Sequence, residues 1–218
     1  MLEIVAAALV PVVALLLLSR WRRFDDDFRR VVGRWFIPLA LIFWSPCWMT
    51  ARSPAPFDFL FARVSPWRTM APQSLSPSFH SGNLLLSDVP MQFVPWRHVV
   101  VDAYRHGELP LLNRYAGSGS PLWENPQAAV LFPLTIAGIP FSGFAWPLFA
   151  AMCKTLIALT GMYLFLRAEE LGESAAVFGA IAYAFSTFGV AFALFPHTNV
   201  TVLLPWLMLA IARLHLTG

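Results

Sequence analysis

The chain has 218 residues, of which 58% are hydrophobic, 15% are aromatic and only 12% are charged. This composition excludes an ordinary soluble protein, because too few polar side chains are available to cover a globular surface. The 15 basic residues outnumber the 12 acidic ones, and nearly all of them are arginines that lie beside apolar segments. That placement is typical of membrane orientation signals and not of nucleic-acid binding, so we predict a lipid bilayer and no nucleic acid as partner.

The first 50 residues are predicted to form two transmembrane helices. Residues 2–18 are an apolar run that is just long enough to cross a hydrocarbon core. The short loop at residues 19–34 is rich in arginine, and the positive-inside rule keeps such loops in the cytoplasm. Residues 35–49 then return to the outer face. The N-terminus is therefore predicted to lie outside.

A polar stretch at residues 50–125 follows and must be extracytoplasmic in this topology. Residues 128–140 are apolar but too few to span and are interrupted by Pro133, which predicts an interfacial or re-entrant segment. Counting them as a span would put Arg167 outside, against the charge pattern. Three further spans are predicted, at residues 144–166, 175–195 and 200–214. The chain then stops without a polar tail, as expected for the front of a longer protein.

The predicted fold class is an all-α polytopic membrane protein with about five transmembrane helices and one long extracytoplasmic loop that carries short interfacial helices. Its predicted organisation has three parts: residues 1–50, two N-terminal transmembrane helices with an Arg-rich cytoplasmic loop; residues 51–143, the extracytoplasmic loop with the interfacial segment; and residues 144–218, three transmembrane helices.

The polar loop contains the residues that are best suited to chemistry. Pro95 is expected to open a helix at residues 96–106. His98, Asp102 and His106 share one face of it, which allows either a metal site or ordinary pairs on a solvated face, and the second interpretation is favoured. The two cysteines lie in apolar segments without metal-ligand spacing, so neither a disulfide framework nor a zinc site is indicated. No cofactor is expected, and a divalent metal is possible but not indicated.

Two other ionisable residues allow more than one interpretation. Asp88 lies between prolines just before the predicted helix, where an Asp is commonly a cap or turn residue. Lys154 lies deep inside the predicted span at residues 144–166. An intramembrane charge often marks a transport path, but a structural role or contact with a lipid phosphate is equally compatible with the sequence.

Four segments of the loop, in order, resemble the bacterial YfhO-type membrane proteins. They are residues 87–96, 107–113, 115–121 and 125–133. Residues 182–189, His197 and residues 204–206 are also similar to that family, so the resemblance covers roughly residue 87 to the C-terminus. Those proteins are similar to the GT-C glycosyltransferases, which transfer a sugar from a polyprenyl-phosphate carrier on the outer membrane face.

The resemblance implies roles for individual residues. An acidic residue in the first large outer loop is catalytic in that superfamily, and Asp88 is the matching position, with the role of general base. Asp88 is followed by Val89 and Pro90 and not by a second acid as in DxD, which puts a bound metal in doubt. The predicted substrate-binding residues are Arg97 or Arg105 for the leaving phosphate, Gln92, Asn113, Asn125 and Gln127 beside Trp96 for the sugar, and His197 for phosphate unless it is only a polar helix end.

The predicted function is therefore transfer of a sugar from a polyprenyl-phosphate-linked donor to a cell-envelope glycan or polymer on the extracytoplasmic face of the bacterial inner membrane. The alternative is a non-enzymatic transport or scaffold component of envelope polysaccharide assembly. Lys154 favours the transport alternative, whereas the acids and amides of the loop favour the enzyme.

Overall fold

A computed structural model describes residues 1–21, 24–70 and 84–217 of the chain. These residues are mostly helical, and the strands among them are one antiparallel pair of two residues each, which confirms the prediction of an all-α fold. The chain divides into two compact units. Unit 1 comprises residues 1–52, 148–193 and 197–218, and unit 2 comprises residues 53–147 and 194–196.

Two of the described helices are long and apolar enough to cross a membrane. The first, α1, spans Leu2–Ser19, and at 1.5 Å per residue its 18 residues extend about 27 Å. Ser19 ends it by donating its hydroxyl to the carbonyl of Leu16 at 2.8 Å. The second, the eighth α-helix along the chain (α8), spans Trp146–Ala168 and extends about 35 Å.

The other three predicted spans are helical but interrupted. After α1, the chain forms α2 (Asp26–Val31), a π-turn (Val32–Phe36), α3 (Ile37–Phe43) and α4 (Ser45–Met49). After α8 it forms α9 (Glu173–Ala184), α10 (Thr187–Ala191), α11 (Thr198–Thr201) and α12 (Leu204–Thr217). Ser186 causes one of these breaks, because its hydroxyl accepts from the amide of Gly189 at 3.1 Å and so starts a new helix.

Helix α8 lies at the centre of unit 1. Its side chains at Leu148, Met152 and Leu159 are completely buried. Tyr163, further along α8, packs against Phe28 and Phe36, with ring centroids 6.2 Å and 5.7 Å away. Apolar contact on nearly every side of one helix therefore forms the core of this unit.

Short helices and irregular backbone form unit 2. The main helix, α6 (Val94–Arg105), follows directly after a π-turn. A small core forms where α6 packs on the later part of the loop, around Val100, Leu122, Ala128 and Val130. The described elements of this unit are α5 (Asp58–Arg63), 3-10 turns at Trp67–Met70 and Leu84–Leu86, the π-turn Val89–Phe93, α6 (Val94–Arg105), β1 (Leu112–Asn113), β2 (Ser120–Pro121) and α7 (Pro133–Ala137).

Candidate functional site

Asp88 stands at the start of the helical run that continues through α6. Its backbone is already helical, with φ −62° and ψ −27°, and its side chain does not cap the turn that follows. One carboxylate oxygen instead accepts a hydrogen bond of 3.0 Å from the side-chain amide of Gln92, one turn later. The half-buried carboxylate is therefore oriented by a neutral donor.

Trp96 lies one further turn along the same run, so Asp88, Gln92 and Trp96 recur every four residues. The indole is partly buried against the core cluster around Val100, and its ring centroid is 6.0 Å from that of Phe93. Packing of this kind fixes the ring in place. The structure therefore brings a carboxylate, an amide and an aromatic ring together on a single stretch of helix.

Arg97 points to the opposite side of α6 and is only 4% exposed. Its guanidinium donates to the carbonyls of Gly138 and Phe141, the second at 3.1 Å, and lies 4.8 Å from the ring centroid of Trp146. Burial of an arginine is costly unless its donors find acceptors, and here the backbone of a turn supplies two of them to one guanidinium nitrogen. Arg97 therefore ties α6 to residues 138–141.

Arg105 binds the same segment from the exposed end of α6. Its guanidinium donates to the carbonyl of Ile139 at 2.7 Å. Tyr104 adds a third link, because its hydroxyl donates to the carbonyl of Val130 at 3.0 Å. Both arginines that we expected at the leaving phosphate thus have a role in holding the loop together, which the sequence did not indicate. Phosphate binding by either stays a prediction.

The predicted sugar-binding amides lie in turns. Asn113 is buried in β1, and its side-chain oxygen accepts from the amide of Tyr115 at 3.0 Å. Asn125 accepts in the same manner from the amide of Gln127 at 2.9 Å, while the side chain of Gln127 is exposed. Such local bonds are typical of turn-forming asparagines. Both asparagines therefore shape the backbone of the loop, and sugar contacts by these three residues stay a prediction.

A polar pocket of about 240 Å³ lies between α6 and the β-hairpin, and the sequence did not point to it. Asp102, Glu108, Arg114 and Tyr115 line it, and Arg114 approaches Glu108 at 3.3 Å. None of the predicted site residues belongs to its lining. Asp102 is therefore a second candidate, beside Asp88, for a catalytic carboxylate.

The metal interpretation of the exposed face of α6 gains no support. Nδ1 of His106 lies 3.6 Å from the Asp102 carboxylate and 2.8 Å from its carbonyl oxygen, which is the ordinary pairing that we favoured from the sequence. Within residues 1–21, 24–70 and 84–217, no three His, Cys, Asp or Glu side chains are grouped so that they could hold an ion.

His197 belongs to unit 1, at the start of α11, and its side chain is exposed. Its ring packs on those of Phe188 and Phe192, at centroid distances of 5.4 Å and 5.3 Å. Partial burial, together with the charge of Lys154, lowers the pKa of His197. The lowered pKa disfavours the protonated imidazole, which is the form that binds phosphate best, and phosphate binding by His197 stays a prediction.

Lys154 forms a second polar centre inside unit 1. The residue is 6% exposed, and its Nζ donates to the carbonyl of Ala193 at 2.9 Å and to the hydroxyl of Thr198 at 2.8 Å. Thr198 itself is 2% exposed. A cavity of about 200 Å³, which Tyr183 and Ser186 help to line, adjoins this group. The buried lysine therefore joins the middle of α8 to the break between α10 and α11.

Comparison with known proteins does not add a relative to these observations. No family model matches the chain, and no match was found among curated proteins or solved structures. The resemblance to YfhO-type proteins therefore stays a prediction, and the functional argument depends on the geometry of the site.

Proposed function

We propose that this chain is a YfhO-type, GT-C-like membrane protein that transfers a sugar from a polyprenyl-phosphate carrier to an envelope acceptor outside the bacterial inner membrane. The observation that carries the proposal is the carboxylate of Asp88, held at 3.0 Å by the amide of Gln92, with the indole of Trp96 on the next turn. A fixed carboxylate beside an amide and a flat apolar ring matches what a sugar hydroxyl and a sugar face require.

The proposed reaction uses the carboxylate as general base. Asp88 removes the proton from the acceptor hydroxyl while that oxygen attacks the anomeric carbon of the donor. The bond from the anomeric carbon to the phosphate oxygen breaks, and the polyprenyl phosphate leaves with the electron pair. Arg105, at the exposed end of α6, is the better placed of the two arginines to meet the leaving phosphate, since Arg97 is buried.

Replacing Asp88 by Asn tests this role. Asparagine keeps the shape of the side chain and can still bond Gln92, but it cannot accept a proton. Sugar transfer to envelope acceptor in membrane vesicles supplied with a polyprenyl-phosphate-linked sugar should fall by about 10² or more. The matched control is Glu124→Gln, an exposed acid of the same loop, which should leave transfer unchanged. Loss of transfer in Asp102→Asn, with Asp88→Asn still active, would move the base to the pocket beside the β-hairpin.

The proposal includes the five-span topology with the N-terminus outside, because Asp88 has to face the side where the donor is presented. Cysteine labelling of intact cells tests it, on a background of Cys47→Ser and Cys153→Ser. A membrane-impermeant maleimide should modify Ser118→Cys and spare Asp26→Cys, since the two positions are proposed to lie on opposite faces. Labelling of Asp26→Cys alone would reverse the orientation.

Transport is the second candidate, and the buried Lys154 is the observation that favours it. A charged side chain in the middle of a spanning helix, bonded at the break between two short helices, is a feature of many transport paths. Two substitutions distinguish the transferase from the transport candidate. Under the transferase proposal Asp88→Asn abolishes surface sugar modification in cells that make the protein, whereas under the transport alternative Lys154→Met does so and Asp88→Asn does not.

A further inference from the structure

A groove of about 320 Å³ in unit 1 runs along the sides of two helices. On α1 it is lined by Pro11, Ala14, Leu15 and Leu18, which are three and four residues apart and so form one stripe parallel to the helix axis. From the first to the last of these positions, the stripe extends about 10 Å. The groove is therefore long and narrow, and one of its walls is a helix face.

The opposite wall is a matching stripe on α8. Cys153, Leu156, Ile157 and Thr160 repeat the same spacing, so two helical stripes border the groove along its length. A linear apolar chain therefore suits the space between the two stripes.

Trp206 also lines the groove, and its position is fixed. Its indole nitrogen donates to the carbonyl of Ile157 at 2.9 Å. Close contact with Gly161 also holds the ring, because a Cβ at that glycine would lie 2.4 Å from the indole nitrogen. Phe28, another lining residue, is 3% exposed and packed against Tyr163. The groove is thus preformed, as ligand sites of about 300–1,000 Å³ usually are.

One end of the groove is charged. Ser19 and Trp21 belong to its lining, and Arg20, between them in the chain, is exposed. Arg29 also reaches this end, because its Nε donates to the carbonyl of Ser19 at 3.0 Å, but its Nη1 forms an ion pair with Asp26 at 2.7 Å. The exposed Arg20 is therefore the cation that a ligand in the groove would meet. An exposed tryptophan beside arginines at the end of an apolar helix is typical of the level of lipid headgroups. The groove therefore combines an apolar channel with a cationic end.

We infer that the groove binds one anionic phospholipid, with an acyl chain between the two stripes and the headgroup phosphate at Arg20. A neutral or zwitterionic lipid satisfies the apolar channel but lacks the net charge that complements Arg20. This inference does not depend on the proposed transferase activity, because none of the residues assigned to that site lines the groove.

Native mass spectrometry of the purified full chain, titrated with phosphatidylglycerol or phosphatidylcholine, tests the inference. The wild type is expected to bind one phosphatidylglycerol at least about tenfold more tightly than phosphatidylcholine. Ala14→Phe places a ring in the groove and should weaken phosphatidylglycerol binding by about tenfold or more. Val13→Phe is the matched control, because Val13 is exposed on α1 outside the lining and should bind as the wild type does.

Arg20→Gln tests the headgroup contact by itself and leaves the groove intact. We expect its affinity for phosphatidylglycerol to fall to the value for phosphatidylcholine. Because Arg20 is exposed, this variant should fold, and it tests the inference even if Ala14→Phe fails to fold. Equal binding of the two lipids by the wild type would overturn the inference, as would unchanged binding in Ala14→Phe. Efficient disulfide-linked dimers of Ala14→Cys would show that a second copy occupies the groove instead.

Discussion

The two units of this chain are held together in different ways. In unit 1, regular helices satisfy their own backbone groups, and contact between small and large side chains, such as Gly161 against Trp206, provides the cohesion. In unit 2, much of the backbone is irregular, and its carbonyls bond to side chains of α6, including Arg97 and Tyr104. The difference arises because a buried carbonyl needs a hydrogen-bond donor. Where no helix supplies a backbone amide, a side chain has to donate instead.

The largest effect is expected for Arg97→Met in unit 2. The carbonyls of Gly138 and Phe141 lose their charged donor, at about 1–3 kcal/mol for each buried group. The free energy of unfolding of this unit should therefore fall by roughly 3 kcal/mol, and amide hydrogen exchange at residues 133–146 should rise. Arg105→Met is the control, since an exposed donor to one carbonyl should contribute under about 1 kcal/mol. Equal exchange in the two variants would contradict the role of burial.

Thr198→Val tests a place in unit 1 where, as in unit 2, a buried side-chain donor bonds at a break between helices. Valine has the shape of threonine but cannot accept from Lys154, so a buried ammonium loses a partner at 2.8 Å. We expect a loss of about 2 kcal/mol, which is typical for a hydrogen bond to a charged group. A thermal unfolding scan in detergent measures it. Thr201→Val is the matched control, because that hydroxyl donates to the carbonyl of His197 and does not contact the lysine. A loss as large in the control would argue against the lysine contact.

The smallest effect is expected for Gly161→Ala in unit 1. The added methyl carbon would lie 2.4 Å from Trp206, so the ring must shift and weaken its bond to the carbonyl of Ile157. Overpacking of this kind costs about 1–3 kcal/mol, and we expect the lower half of that range because a side chain can move. Gly33→Ala has open space around it and should be neutral or slightly stabilising. Thermal unfolding of the two variants side by side gives the comparison.

Much of the helical content was visible in the sequence. The helix expected at residues 96–106 is observed at Val94–Arg105, because Pro95 is tolerated in the first turn and the polar face repeats every four residues. The run expected at residues 175–195 is instead broken after Ala184. Ser186 provides the reason, and a capping residue within an apolar run was a signal that could have been used.

The contacts that define the candidate site could not have been predicted in this way. Nothing near Arg97 in the chain indicates that its acceptors are 41 and 44 residues away. The pocket beside Asp102 forms only because the β-hairpin folds back over α6, and hairpin strands of two residues have too little pattern to be recognised. Local spacing predicts which residues share a helix face, whereas partners far apart in the chain require the folded structure.

The bond between Arg97 and Gly138 has a consequence for the order of events during synthesis. A ribosome adds roughly 5–20 residues per second, so the arginine is made several seconds before the carbonyls that it binds. Throughout that interval α6 lacks the segment that Arg97 binds. The acceptors are followed within a few residues by Trp146, where α8 begins. Synthesis of the acceptors for Arg97 and synthesis of the start of α8 are therefore nearly simultaneous steps.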